Sequence, residues 1–206
     1  MQTKGKTLGV IGRQPTDMEE SRQDKFKRET AELYQAYGKF AIEFEQMCNS
    51  MRICLIFAMH AHGLTEQRLI RIMLADLTAD PLIKRLRATV GILYEKRPED
   101  IKYLTPLFKF CIDINEKRNE IIHGTWYIGW TSAEQNEFNT ASGMKEKLTK
   151  DGLRLDSYNY NPKEFSDLTE KVILANTLIN RLHGCISFGS EIQKNIDLNV
   201  LKDIKV

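Results

Sequence analysis

Long apolar runs are missing from this sequence, and so are paired cysteines. No stretch approaches the ~20 consecutive apolar residues that a membrane-spanning helix needs, and residues 1–17 contain no apolar segment long enough for a signal peptide. The four cysteines form no C-x-x-C pair and lie in apolar, helix-like contexts, which favours reduced thiols in a protein core. They are Cys48, Cys54, Cys111 and Cys185. We therefore expect a soluble, cytoplasmic protein that has no membrane partner.

Several common catalytic motifs are absent as well. The chain contains no G-x-S-x-G elbow, no H-E-x-x-H pair and no Gly-rich phosphate loop, which argues against the enzyme classes that depend on them. The G-K-T at residues 5–7 lacks the upstream glycine and the preceding strand of a P-loop. His60 and His62 have no further ligand at metal-binding spacing. The net charge of +2 indicates no particular partner, so nucleic-acid binding would need a local basic patch.

The pattern of apolar residues predicts a mainly α protein. A chain of 206 residues has the size of one domain, and we expect a flexible leader over residues 1–16 and a single helical domain over residues 17–206. Apolar spacings and capping signals predict helices over about residues 17–61, 66–77, 80–96, 99–123 and 161–194. Residues 126–160 are β-prone and contain a turn, which predicts a β-hairpin. The expected fold is an up-and-down helical bundle with this hairpin before its last long helix.

Two of these predicted helices have long apolar faces. In the first, residues recur at alternating spacings of four and three: Leu33, Tyr37, Phe40, Phe44, Met47, Met51, Cys54 and Ala58. In the last, one face carries Phe165, Leu168, Val172, Ala175, Ile179 and Leu182. Such faces are typical of helices that pack against other helices. In the helix over residues 99–123, Pro106 predicts a bend near its own position, two turns from the start.

The segment E-K-R-N-E-I-I-H-G-T-W at residues 116–126 contains a charged residue on the apolar face of its predicted helix. Arg118 falls near the centre of the apolar arc of its predicted helix, where an unpaired charge is costly. Glu116, Asn119 and His123 share one strip at the border of that arc, and Arg118 lies about 140° from His123 on an ideal helical wheel. Two interpretations follow. Arg118 pairs with a buried carboxylate while His123 and Gly124 cap the helix, or Arg118 points into a polar cleft.

The pattern Arg118-Asn119-x-x-x-His123 resembles the R-[N/H/D]-x-x-x-H signature of HEPN domains. The resemblance implies an all-α bundle whose long helices carry a metal-independent ribonuclease site, with no cofactor. It implies that His123 is the general base or acid, that Arg118 binds the phosphate, and that Asn119 orients His123 or the phosphate. These residue types suit the chemistry, because histidine titrates near neutral pH and the arginine fork binds phosphate oxygens at two points. The expected product end is a 2′,3′-cyclic phosphate or the 3′-phosphate derived from it.

The resemblance also implies partners and further site residues. Related domains commonly form homodimers in which two motifs face one cleft, and an acidic residue of an early helix sometimes joins the site. Glu45, or its neighbour Glu43, is the candidate for that acid, with an exposed carboxylate as the alternative, and Glu116 is a second acidic candidate. An endoribonuclease of single-stranded RNA would fit a toxin or phage-defence effector with an antitoxin or nucleotidyltransferase partner. The alternatives are a non-catalytic HEPN module that binds a nucleotide or a partner, and a helical scaffold whose motif is accidental.

Residues of the predicted hairpin are candidates for contacts with RNA. Its basic side chains would follow the phosphates, although a solvated hairpin face explains them equally well: Lys145, Lys147, Lys150 and Arg154. The aromatic residues after the motif are candidates for stacking on unpaired bases: Trp126, Tyr127 and Trp130. The usual burial of aromatic side chains favours instead a role in anchoring the hairpin on the bundle.

Overall fold

The computed structural model describes residues 21–128, 137–150, 152–204 and 206. The leader predicted for residues 1–16 and the side chain of Trp130 therefore lie outside the described residues. The described helices are α1 Arg22–Ala61, α2 Gln67–Leu74, α3 Ala79–Leu93, α4 Pro98–Tyr103, α5 Thr105–Ile122, α6 Pro162–Phe188 and α7 Ile192–Asn195. The strands are β1 Thr125–Ile128, β2 Ala141–Thr149 and β3 Gly152–Tyr160, and a 3-10 turn covers Asn199–Leu201. The prediction of a mainly α protein is thus confirmed.

The two longest helices, α1 and α6, form the centre of the fold and pack against each other. With 40 residues, α1 is ~60 Å long at 1.5 Å per residue, and the Ser21 hydroxyl caps its first turn by accepting from the Asp24 N–H. The apolar faces predicted for both helices are buried, except that Tyr37 is half-buried. α1 also packs against α3, and α5 packs against α3 and α6. The core therefore lies between α1, α3, α5 and α6.

Several predicted helix boundaries are wrong. The helices predicted over residues 66–77 and 80–96 each end three residues earlier, at Leu74 and Leu93. The helix expected over residues 99–123 is two helices, because the chain breaks at Leu104 between α4 and α5 and Pro106 occupies the first turn of α5. The last helix, expected to reach about residue 194, ends at Phe188. Gly189 follows it at φ +62°, a left-handed conformation that glycine adopts without strain and that stops a helix. Asn161 and Glu164 form a capping box at the start of that helix.

The predicted hairpin belongs to a larger unit, a three-stranded antiparallel sheet of order β1-β2-β3. β2 and β3 are the predicted hairpin, and the short strand β1, which directly follows the motif, adds the third. Trp126 of β1 stands opposite Gly143 of β2, and the Trp126 ring packs against Tyr160 and Phe165 with centroids 5.8 and 6.1 Å away. The sheet is thereby anchored to the first turn of α6 and holds the chain that leaves α5.

The core is apolar, with few exceptions. All four cysteines are buried, free thiols, and the described helices include none that is both long and apolar enough to cross a membrane. One of the polar exceptions is Glu29, which is 7% exposed. Its carboxylate accepts a 2.6 Å hydrogen bond from the Phe138 N–H and lies 3.7 and 3.6 Å from the cationic nitrogens of Lys25 and Arg28. Glu29 thus ties the start of α1 to the segment that leads into β2.

Candidate functional site

The motif lies at the C-terminal end of α5. Arg118 and Asn119 are in its last turns, and His123 is its C-cap, with φ −101° and ψ 8°. Arg118 Nη1 lies 3.4 Å from Asn119 Oδ1 and 3.4 Å from His123 Nε2. The wheel separation of about 140° is bridged, because the arginine side chain is long and His123 has left the helical conformation. The three motif residues therefore form one polar cluster.

Residues of α1 hold Arg118 from the other side. Arg118 Nη2 lies 3.6 Å from Glu45 Oε1, and the guanidinium stacks over the Phe44 ring at 5.3 Å from its centroid. The Arg118 side chain is 25% exposed and that of Glu45 is 60% exposed. The carboxylate comes from another helix, as the first interpretation of Arg118 expected, yet it is not buried. Phe44 of α1 thus packs against Arg118, which lies on the apolar face of α5.

The motif cluster opens into a cavity of about 380 Å³, which we call the motif cavity. Its walls come from the middle of α1, the connection between α2 and α3 with the first turn of α3, and the end of α5. The lining residues are Phe44, Glu45, Cys48, Arg52, Asp76, Leu77, Thr78, Ala79, Asp80, Asn115, Arg118, Asn119 and His123. Arg118 thus faces a polar cavity, as the second interpretation expected, while keeping a carboxylate partner.

The contact between Arg118 and His123 has a chemical consequence. A guanidinium has only N–H donors and no acceptor. Arg118 can therefore hydrogen-bond to His123 only if Nε2 presents its lone pair, with the proton on Nδ1. His123 is exposed, so the same lone pair becomes accessible to a ligand when the arginine turns toward an anion. The arrangement places a proton acceptor directly beside a permanent cation.

Two further residues of the motif cavity were missed by the sequence reasoning, Arg52 and Cys48. Both lie on the side of α1 that carries Glu45, because Cys48 follows Glu45 by three residues and Arg52 follows it by seven. This spacing is the only sequence signal that relates them to the motif. Arg52 Nη2 donates a 2.9 Å hydrogen bond to the Leu77 carbonyl. Burial, together with the nearby Glu45 charge, raises the pKa of the Cys48 thiol to about 11 against the opposing charges of Arg52 and Arg118. Cys48 is therefore a neutral thiol at physiological pH.

The remaining acidic candidate, Glu116, is exposed on α5 and does not line the motif cavity. Glu116 lies on the same strip of α5 as Asn119 and His123, but only Asn119 and His123 line the cavity. Of the two acidic candidates, Glu45 alone contacts Arg118 within the part of the chain that the structure describes.

The basic candidates of the sheet have different surroundings. Lys145 Nζ donates a 2.9 Å hydrogen bond to the Asn119 carbonyl, so this lysine touches the last turn of the motif helix. Lys147 and Arg154 instead bind Asp156, at 2.6 and 2.9 Å, and these hydrogen bonds lower the pKa of the Asp156 carboxyl to about 2. Lys150 is exposed at the turn. Lys145 is thus the sheet cation that the fold brings to the motif.

The aromatic candidates lie at the start of the sheet. Trp126 is half-buried against Tyr160 and Phe165, and its indole N–H donates to the Ile121 carbonyl in the last turn of α5. These contacts are those of an anchor between sheet and bundle. Tyr127, the next residue, is also half-buried. Neither side chain lines the motif cavity.

Comparisons of the chain with protein-family models, with curated proteins and with solved structures found no match. The motif cluster combines the Arg118 guanidinium, the exposed His123 imidazole, the Asn119 amide and the Glu45 carboxylate on the wall of the motif cavity.

Proposed function

We propose that the protein is a metal-independent endoribonuclease that cleaves single-stranded RNA at the motif cavity. The observation that supports the proposal best is the contact between Arg118 and His123, whose side-chain nitrogens lie 3.4 Å apart at an exposed site. A phosphodiester next to a 2′-hydroxyl needs one group to accept the hydroxyl proton and one cation to stabilise charge on phosphorus oxygens. The HEPN-like motif provides one of each.

The reaction uses a nucleophile that the substrate itself carries. The His123 Nε2 lone pair takes the proton of the 2′-hydroxyl, whose oxygen attacks the adjacent phosphorus. Arg118 binds the non-bridging oxygens, and the bond from phosphorus to the 5′-oxygen breaks. That oxygen leaves with a proton from a general acid, and the products are a 2′,3′-cyclic phosphate and a 5′-hydroxyl. No metal, cofactor or protein nucleophile takes part in these steps.

The general acid comes, in this proposal, from a second copy of the chain. Within the described residues, His123 is the only histidine that lines the motif cavity. A homodimer with two motifs at one cleft would supply a second imidazole to protonate the leaving oxygen. The exposure of His123 and Glu45 leaves both side chains accessible to a partner subunit. Light scattering at assay concentration tests the dimer, and a strictly monomeric active enzyme would contradict it.

The neighbours of Arg118 have supporting roles. Glu45 and Phe44 hold the guanidinium in place before substrate binds, and Asn119 orients it through the 3.4 Å contact. Binding of RNA replaces the weak ion pair with Glu45 by a pair with phosphate. Because Glu45 is a well-exposed carboxylate, water solvates it after the exchange. Arg118 can therefore change partners at low cost.

The decisive experiment measures RNA cleavage in excess EDTA by the wild type, Arg118→Ala and His123→Ala. We expect cleavage by the wild type with cyclic phosphate ends, detected by mass spectrometry, and a loss of at least about a hundredfold in each variant. His62→Ala is the matched control, since His62 is also a helix C-cap, that of α1, and does not line the motif cavity. Circular dichroism verifies the fold of each variant.

The acidic candidates are separated by a second pair of variants. Glu45→Gln removes the charge that positions Arg118 and should lower cleavage about threefold to tenfold, whereas Glu116→Gln should leave it unchanged. Equal cleavage by the wild type and both motif variants would refute the proposal. RNA binding without cleavage by pure wild type would favour the alternative, a non-catalytic binding module.

A further inference from the structure

Arg52 is a second arginine on the wall of the motif cavity. It follows Glu45 by seven residues on α1, so the two lie two turns apart, ~10 Å, on one side of the helix. The Arg52 side chain is half-buried, and its Nη2 donates to the Leu77 carbonyl at 2.9 Å. This hydrogen bond fixes the guanidinium against the connection between α2 and α3.

Arg52 has no carboxylate within 4.0 Å among the residues that the structure describes, in contrast to Arg118. Two acids near the α2–α3 connection line the cavity, Asp76 and Asp80. Asp80 is bound by Lys84 at 2.8 Å, and Asp76 lies more than 4.0 Å from the Arg52 guanidinium nitrogens. The Leu77 carbonyl is the only described acceptor for the five N–H donors of Arg52. A half-buried guanidinium with most of its donors unused is a ready site for an anion.

Arg52 and Arg118 line the same cavity from different helices, α1 and α5. Cys48 lies one turn before Arg52 on α1 and also lines the cavity. Burial raises the pKa of the Cys48 thiol, the Glu45 charge raises it further, and the charges of Arg52 and then Arg118 lower it. The charges of Arg52 and Arg118 thus both lower the pKa of the one thiol.

We propose that Arg52 binds a second phosphate of the RNA, next to the phosphate that Arg118 binds. The inference rests on the proposed function for the role of Arg118, and adds that the site holds at least two consecutive phosphates. The competing explanation is a purely structural one, in which Arg52 only fastens α1 to the Leu77 carbonyl. Arg85 provides the comparison, because its Nη1 donates to the Met73 carbonyl at 3.4 Å while it is exposed and outside the motif cavity.

The test uses the full chain and an eight-nucleotide RNA with 2′-O-methyl groups and a fluorescein label, which cannot be cleaved through its 2′-oxygens. Fluorescence anisotropy gives its dissociation constant at several salt concentrations. We expect Arg52→Ala to weaken binding about tenfold and to lower the slope of log affinity against log salt by about 0.7, the value for one phosphate contact on a single strand. Arg52→Lys, which retains a charge, should recover most of the slope, and Arg85→Ala should bind like the wild type.

Cleavage provides a second and separate readout. For a trinucleotide with two phosphates, Arg52→Ala should raise KM about tenfold and change kcat less than about threefold. For a dinucleotide with one phosphate, it should change neither. Wild-type affinity and salt slope in Arg52→Ala would overturn the inference and leave the proposed function standing. Failure of the wild type to bind the labelled RNA would overturn it too. Absence of cleavage with Arg52-dependent binding would refute the ribonuclease and support the phosphate site.

Discussion

Replacement of Gly143 by alanine should loosen the junction between sheet and bundle. A Cβ atom at position 143 would lie 2.8, 2.9 and 3.0 Å from three ring carbons of Trp126, closer than real carbon contacts. The ring has little freedom to move away, because its N–H binds the Ile121 carbonyl and it packs against Tyr160 and Phe165. The variant must therefore displace Trp126 or part the two strands.

The magnitude follows from two opposing effects. Overpacking of this kind costs about 1–3 kcal/mol, and the rigid ring places Gly143→Ala in the upper part of that range. Alanine is better than glycine in a strand by about 0.5–1 kcal/mol. We expect a net loss of roughly 1–2 kcal/mol in the free energy of unfolding. For a chain of this size the melting temperature falls by about 2–4 °C per kcal/mol.

Urea denaturation followed by circular dichroism measures the loss, and tryptophan fluorescence reports the displacement of Trp126. The control is Gly38→Ala in α1, where the added Cβ meets nothing within 4 Å. There the helix propensity of alanine should stabilise the chain by about 0.5–1 kcal/mol. If Gly143→Ala were as stable as the wild type and kept its fluorescence, the close packing of Trp126 on Gly143 would be refuted.

Three other predictions concern single buried or charged groups. At pH 8, iodoacetamide should label Cys48 about a hundredfold more slowly in the folded chain than in urea, because folding raises the pKa of the thiol from 9.0 to about 11. Mass spectrometry of peptides measures both labelling rates, and equal rates would contradict the raised pKa. Glu29→Ala should lose about 1–3 kcal/mol of stability in urea titrations, because the Phe138 N–H loses its acceptor, and Glu29→Gln should lose less. The Asp156 carboxyl, with its pKa lowered from 3.8 to about 2, stabilises the fold above pH 3.8 and ceases to do so as pH falls through about 2. Asp156→Asn should therefore flatten the acid limb of a stability titration, and an unchanged limb would argue against the hydrogen bonds of this carboxylate.

The helices were predictable where apolar periodicity alone decides the structure. The spacing of Phe40, Phe44 and Met47 indicated the buried face of α1, and these side chains are buried. Helix ends were harder, because local geometry decides them. Gly189 stops α6 through a left-handed backbone conformation, and the break at Leu104 precedes rather than follows the proline that predicted a bend.

The sheet and the cavity were harder still, because both depend on contacts between distant parts of the chain. Four residues of β1 gave too short a pattern to predict a strand, and β1 exists through its pairing with β2. In the site, the helical wheel of α5 indicated the unusual position of Arg118, and the resemblance to HEPN domains indicated Glu45. Arg52 had no local signal, since only the approach of the α2–α3 connection places it in the cavity.

The sheet completes the end of the motif helix. The last four carbonyls of a helix lack partners within it, and in α5 two of them are bound from the sheet, Asn119 by Lys145 and Ile121 by Trp126. A molecule that binds the sheet and shifts either contact thereby changes the free energy of the motif conformation. By thermodynamic linkage, a ligand in the cavity then changes the affinity of the sheet for that molecule by the same factor. The contacts of Lys145 and Trp126 with α5 are the part of the sheet through which such a linkage would act, and it would be measurable from either end.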